Sequence, residues 1–381
     1  MKKILLGFAV VGMLFSACQK EEQIAKNDTN QTVDQTIPGQ YVVVLKPSTN
    51  KAFAQLKHVE KIQQVKQEAV QMGIDESSVQ QAYGSAIRGF AAKLNDEQLA
   101  NLRNDSRVAY IVPDKVFILK KPVPEPPPAT GDEVPYGIER VGYGDGSGKT
   151  AWIIDTGIDL DHPDLNVDVA RSAVFTGARS ADDDNGHGSH CAGTVAAKDN
   201  DLGVIGVAAG ATVVPIKVLD RKGSGYYSWI IAGVDYVAAN ANVGDAANMS
   251  LGGGVYQPID DAVANLANAG IYVALAAGNE SDDADNHSPA RVDGANIWTI
   301  SAMDVNDNWA YFSNYGTHVD YCMPGYSVYS TYKRGGYATL SGTSMAAPHM
   351  CGVLLMTNGN PHTDGYVNGD PDGNPDPIGH L

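Results

Sequence analysis

Two apolar runs, each leading into a polar residue, constrain this chain most. Thr150-Ala151-Trp152-Ile153-Ile154 leads into Asp155, and Ile271 to Gly278 leads into Asn279. A strand that is apolar on both faces must be covered on both, as happens in parallel sheets sandwiched between helices. Cys191 to Ala197 and Met345 to Met356 are rich in small and apolar residues and read as such helices, packed closely through Gly193 and Gly352. The expected fold is α/β, a mostly parallel sheet flanked by helices. Active sites of such sheets lie at the carboxyl ends of strands, where Asp155 falls.

Three segments carry residue types suited to nucleophilic catalysis. Ile153 to Gly157 brings Asp155, Asn185 to Cys191 brings His187 and His190, and Leu340 to His349 brings Ser344. A serine hydroxyl is a weak nucleophile at neutral pH. An imidazole must take its proton and later return it to the leaving amine, while a carboxylate fixes the imidazole's tautomer. Ser344, His187 and Asp155 fit those roles. Both His187 and Ser344 would open helices, where the positive end of the backbone dipole suits the serine more than an imidazolium. The order Asp, His, Ser is the one subtilisin uses, and from about residue 131 to 357 the chain resembles the subtilisin family of serine endopeptidases. The resemblance implies that His187, in Gly-His-Gly, is the general base and that His190 is structural. It also implies that the Asn279 side chain donates to the oxyanion; losing such a donor costs on the order of 10²–10³ in turnover. Without the resemblance, Asn279 reads as a turn residue after a strand.

By the same comparison, Gly223-Ser224-Gly225 and Ser250-Leu251-Gly252-Gly253 resemble the two edges that bind a peptide as an added β-strand, glycines letting the backbones approach. Main-chain binding of this kind implies loose sequence specificity. Ser250 to Gly253 with Ala276, Ala277 and Gly278 would wall an uncharged pocket for a large apolar residue before the scissile bond. The 278–290 stretch and Cys191 beside the histidine motif are similar to the proteinase K branch, in which that thiol confers sensitivity to mercurials. Residues 197–204, by contrast, resemble the calcium loop of subtilisins proper. That likeness implies a structural Ca2+ held by the carboxylate of Asp164, the side chain of Asn200, the carbonyls of Lys198, Leu202 and Val204, and Asp132, where the family usually has Gln. Asp320 resembles a carboxylate of a second site.

The termini extend the reading. Residues 1–18 combine the basic Met1-Lys2-Lys3, an apolar stretch from Ile4 to Phe15, and Ser16-Ala17-Cys18. They read as an export signal ending in a lipobox, with Cys18 lipidated and Gln19-Lys20-Glu21-Glu22 similar to a surface-export signal of Bacteroidetes lipoproteins. Residues 19–36 read as a polar tether. Residues 37–120 form an α+β unit, with strands at Tyr41 to Leu45, Gly89 to Leu94 and Arg107 to Asp114, and a capping box at Asn95 and Gln98. It resembles the inhibitory propeptide of subtilisins. Residues 121–130 are a stiff Pro-rich linker, 131–357 the peptidase domain, and 358–381, rich in Asn, Gly, Asp and Pro, a disordered polar tail.

A net charge of −17 argues against nucleic acid as a partner. Besides Cys18, three cysteines remain, which permits at most one disulfide, Cys322 with Cys351 being the candidate. The expected protein is a monomeric endopeptidase made as a propeptide-inhibited precursor. It would act on protein or peptide substrates and touch a membrane only through Cys18, the precursor an outer-membrane or cell-surface lipoprotein and the mature domain secreted. The competing class is an inactive surface lipoprotein that binds peptides on the same scaffold.

Overall fold

A computed structural model describes residues 35–119 and 133–381. The signal segment with Cys18, the tether up to residue 34, the linker 121–130 and Asp132 lie outside the described residues.

The first unit is built from β1 (Gln35–Leu45), α1 (His58–Gln71), β2 (Val79–Tyr83), β3 (Gly89–Lys93), α2 (Asp96–Asn104) and β4 (Val108–Ile118). α2 opens with the reciprocal cap read from the sequence: Asn95 Oδ1 accepts from the Gln98 backbone N–H and Gln98 Oε1 accepts from that of Asn95. β1 alternates between two cores. Val43 and Leu45 join Phe53, Val65 and Phe90 inside the unit, while Val42 and Val44 face outward into a second core shared with the rest of the chain.

The larger part contains β5 (Thr150–Asp155), α3 (His187–Ala196), β6 (Thr212–Lys217), β7 (Ser224–Tyr226), α4 (Tyr227–Asn240), β8 (Ala246–Met249), α5 (Gln257–Asn268) and β9 (Tyr272–Ala276). β10 (Ile297–Met303), β11 (Tyr321–Pro324), α6 (Thr343–Thr357), β12 (His362–Tyr366) and β13 (Pro377–His380) follow. The main sheet runs β12-β13-β11-β10-β9-β8-β5-β6, and every pairing in it is parallel except β12 with β13. From β5 the chain moves to one side through β6, then returns to the other side at β8. The β5–β8 boundary is thus the switch point, where open α/β sheets place their ligands.

Period-two alternation divides each strand between two layers. Ala151 and Ile153 of β5 pack with α3 and α6, and Trp152 and Ile154 pack with α4 and α5. The first layer is lined by small side chains, with alanines at 246, 274, 276 and 302, so α6 lies close to the sheet and is buried along almost its whole length. A Cβ on Gly352 would collide with Val207, and one on Gly193 with Ser330 and Thr331. The two glycines thus press their helices on the chain beside them.

One expectation needs correction, and one open question is answered. The stretch 358–381 is ordered: β13 adds to the sheet beside β11, Cys322 paired with Ile378, and β12 folds back on β13. Val367 and Ile378 bury against Cys322 and Met303, so one or two apolar side chains suffice where the neighbouring strand supplies the backbone partners. Cys322 and Cys351 are both free and buried, like Cys191.

Candidate active site

β5 ends in Asp155, whose two carboxylate oxygens lie 2.8 and 2.9 Å from His187 Nδ1 on the first turn of α3. Both groups are buried. Burial works against the imidazolium, but the Asp155 carboxylate and the Cys191 sulfur together outweigh it and hold His187 well above its ordinary pKa. His190 is different: fully buried, its Nε2–H donates to the carbonyls of Val328 (3.0 Å) and Ala338 (3.1 Å), and desolvation lowers its pKa to about 3. It pins the Val328–Tyr332 hairpin strand on α3.

Ser344 sits in the first turn of α6. Its hydroxyl donates to the Ser250 carbonyl (3.1 Å), and Ser250 Oγ donates back to the Ser344 carbonyl (2.7 Å). Pro348 explains that second bond: lacking an N–H, it leaves the Ser344 carbonyl without its helical partner, and Ser250 and the Cys191 thiol (3.4 Å) take its place. Cys191 Sγ also lies 3.9 Å from Asp155 Oδ2 and 4.0 Å from His187 Nδ1, so the thiol sits where the three candidate residues converge.

After β9 the backbone turns at Gly278, with φ +111°, a left-handed value that glycine adopts without strain. Asn279 follows, its Oδ1 accepting from the backbone N–H (2.8 Å) and hydroxyl (3.1 Å) of Thr343, the residue before Ser344. The amide's donor end, Nδ2, is therefore on the branch away from Thr343. Ser250, at the end of β8, lies between the β5 and β9 sides of this cleft.

The cleft is occupied by the chain itself. β4 pairs antiparallel with β7, Phe117 opposite Gly225 and Ile118 opposite Ser224, and the Leu119 N–H donates to the Gly223 carbonyl (2.8 Å). Phe117 is buried edge-on to Tyr227. Behind β4, Asp114 accepts from the Ser228 N–H (3.1 Å) at the start of α4 and from Gln40, and Tyr83 donates to the Ser228 carbonyl. Asp235, buried in α4, accepts from three consecutive N–H groups of the first unit, Gly84 (3.0 Å), Ser85 (2.7 Å) and Ala86 (2.6 Å).

The subtilase family model matches residues 146–365, more than half of the chain, and the peptidase inhibitor I9 model matches residues 40–120. The chain belongs to the subtilase family. The extracellular serine proteinase of Thermus sp. (strain Rt41A) is 36% identical over 93% of this chain and 88% of its own length. Proteinase R of Parengyodontium album is 37% identical over 73% of this chain and 72% of its own. A crystal structure of a cold adapted subtilisin-like serine proteinase aligns with a TM-score of 0.55 at 37% identity, covering 59% of this chain and 84% of that one. The α/β fold and a subtilisin-like serine proteinase with an I9 prodomain are therefore its identity, the prodomain match covering residues 40–120.

Within the subtilase domain the other sequence candidates fall as follows. Leu251, Ala276 and Ala277 are buried beside the cleft, and Gly253-Gly254 bridges His287-Ser288. Asp164 is fully buried, its Oδ2 accepting from the Val204 N–H (3.1 Å), and the Lys198 N–H donates to the Asp164 carbonyl (3.0 Å). The Asn200 carboxamide oxygen caps the Leu202 N–H (3.0 Å), and Glu133 bridges Val204. The buried Asp164 carboxylate and the Asn200 carboxamide are hard-oxygen groups of the kind calcium takes. Asp320 accepts from the Thr299 N–H, and burial raises its pKa to about 6.

Sequence reasoning missed Asp183. One of its oxygens accepts from Thr156 Oγ1 and the N–H groups of Asn185 and Gly186, the other from the N–H and hydroxyl of Ser189. This buried carboxylate ties the end of β5 to the turn that delivers His187. The available signal was an acid four residues before the histidine at a helix start, where carboxylates cap N–H groups.

Proposed function

We propose that this subtilase hydrolyses peptide bonds through an acyl-enzyme formed on Ser344, with His187 as general base and acid and Asp155 as its orienting carboxylate. The observation that carries the proposal is the convergence of a buried Asp155–His187 pair and Ser344 at the sheet's switch point, beside an edge on which a peptide strand already lies. A substrate displaces β4 and pairs with Gly223 to Gly225 through its main chain. Ser344 Oγ turns from Ser250 to His187 Nε2, gives up its proton as it attacks the carbonyl, and the Nδ1–H stays on Asp155. Negative charge gathers on the carbonyl oxygen, where Asn279 Nδ2 donates and the N-terminal end of α6 adds its dipole. As the C–N bond breaks, His187 returns the proton to the leaving amine. Water then repeats the sequence on the acyl ester and frees Ser344.

The pocket between Ser250 to Gly253 and Ala276 to Gly278 takes a large apolar residue, and Phe117 already fills an apolar slot on the same cleft. Calcium, held by Asp164, Asn200, the carbonyls of Lys198, Leu202 and Val204, and Asp132, would pin the loop 198–204 by its charge and stabilise the native state.

The prodomain inhibits by occupying the substrate strand. Cys18 lies on the prodomain side and the catalytic residues beyond the Pro-rich linker. Cleavage between about Lys121 and Gly131 therefore severs the peptidase from its lipid and releases it as a soluble protein. Fluorophosphonate labelling, peptide turnover and cell fractionation of wild type and Ser344→Ala test all of this together. Wild type should label and yield a soluble form starting shortly before Val134; the variant should not label, and its precursor should stay uncut on the membrane. An active or labelled Ser344→Ala protein overturns the triad, and an active wild-type form still joined to Cys18 overturns the release.

A further inference from the structure

The loop that carries Asn279 is held by two residues that no step above uses. Asn314 is fully buried, and its carboxamide is saturated by that loop. Its Oδ1 accepts from the N–H groups of Glu280 (2.8 Å) and Asp282 (3.1 Å), and its Nδ2 donates to the Ala277 carbonyl (3.0 Å) and to Glu280 Oε2 (3.0 Å). Its own backbone N–H donates to the Gly278 carbonyl (3.0 Å). The same Glu280 Oε2 turns back to accept from the Asn279 N–H (2.8 Å). Six consecutive positions, from Ala277 to Asp282, are thereby folded around one amide, with the Ser281 N–H donating to the Phe312 carbonyl. The packing leaves no space at Gly278, where a Cβ would strike both Asn314 Nδ2 and Glu280 Oε2.

We propose that Asn314 and Glu280 are positioning residues for catalysis: they fix the Asn279 backbone so that its side-chain donor stands ready before the oxyanion forms. The inference rests on the reading of Asn279 as an oxyanion donor. Its physical basis is that such a donor works only if it costs no reorganisation at the moment of reaction. Thr343 fixes the Asn279 Oδ1, and Glu280 fixes its N–H. Without the Glu280 contact the backbone at Asn279 is less constrained and can carry Nδ2 out of line, and misplacement by about an ångström is enough to cost most of a contact's effect. Glu280 is partly open to water at the loop surface, so its truncation leaves no dry cavity. Asn314 sits at the centre, where a carboxylate in place of the amide would turn one oxygen on Glu280 Oε2 and the Ala277 carbonyl.

The experiment is a double-mutant cycle on the mature enzyme. Precursors of wild type, Glu280→Ala, Glu280→Gln, Asn314→Asp, Asn279→Ala and Asn279→Ala with Glu280→Ala are matured in trans with tagged wild-type enzyme, which is then removed. Active sites are counted by fluorophosphonate titration, and kcat and KM are measured on one peptide substrate. Glu280→Ala should lower kcat by on the order of tenfold, part of the 10²–10³ attached to the donor itself, with KM within about twofold. Glu280→Gln keeps an oxygen that can accept from both N–H groups, and should stay within about twofold of wild type. Asn314→Asp should fall with Glu280→Ala. In the Asn279→Ala background, Glu280→Ala should lower kcat by less than about twofold, because residues acting through one group are not additive. A tenfold loss in both backgrounds overturns the positioning role and leaves the Asn279 donor standing. So does a rise in KM at constant kcat. An Asn279→Ala enzyme with unchanged kcat overturns both.

Discussion

Asp235 offers a test of how the prodomain is held. It stands on α4 of the peptidase and receives three consecutive prodomain N–H groups at 2.6 to 3.0 Å, out of contact with water. In Asp235→Ala the N–H groups of Gly84, Ser85 and Ala86 lose their shared acceptor. Truncating one partner of a buried, charge-assisted contact at an interface costs about 2–5 kcal/mol. At about 1.4 kcal/mol per decade, that is a rise in inhibition constant of roughly 30- to 4,000-fold. The assay is inhibition of mature wild-type and variant enzyme by added prodomain, residues 35–119, read with a small peptide substrate. Asp235 is far from the chemistry in the fold's terms, on the outer helix layer, so kcat/KM without prodomain should be unchanged. Asp235→Asn, with one acceptor oxygen left and an amide N–H₂ facing donors, should fall in between. An inhibition constant within about twofold of wild type would refute the reasoning and move the binding energy to β4 on β7. A parallel fall in kcat/KM would mean that Asp235 supports the peptidase fold itself.

Three further outcomes are expected. His187 must be neutral to accept the Ser344 proton and its pKa is raised by Asp155, so kcat/KM should fall as pH drops through a value above the ordinary imidazole pKa of about 6.5; an acid limb below that value contradicts it. Chelation of calcium should lower the melting temperature or speed autolysis, since a ligand bound only by the native state stabilises it by mass action, and identical unfolding and autolysis in chelator and in millimolar-range calcium would contradict it. Ile378→Ala should destabilise the peptidase by about 2–5 kcal/mol in chemical unfolding, because the side chain is buried against Cys322 and Met303; a change under 0.5 kcal/mol, typical of surface sites, would mean that β13 does not seal the sheet.

What the sequence disclosed depended on how local the cause was. β5 was legible because burial on both faces leaves an unbroken apolar run, and the Asn95–Gln98 cap because both partners lie within one turn. Asp155, His187 and Ser344 were picked out as candidates because each lies in a short local motif. β13 was not, because its stability comes from a strand far away in sequence and only Ile378 among its four residues is a large apolar side chain. The helical stretch of the prodomain breaks at Leu56-Lys57, and α1 restarts in a new phase that leaves Val59 62% exposed. Asp114, Asp235 and Asn314 were silent for another reason: most of their partners are backbone groups of distant segments, which leave no trace in side-chain pattern.

Ser250 and Ser344 hold each other by two reciprocal hydrogen bonds, one of them made possible by Pro348. Ser250 is also the first residue of the edge proposed above to wall the substrate pocket. Pocket wall and nucleophile therefore share a hinge pin, and the freedom to change one without the other is unequally distributed along the edge. Substitutions at Gly252 or Gly253 can reshape the pocket while the serine stays where it is, whereas any change at Ser250 is also a change to the nucleophile's support. Diversification of substrate preference on this scaffold is thus channelled to the far end of a four-residue edge, and the near end is closed to it.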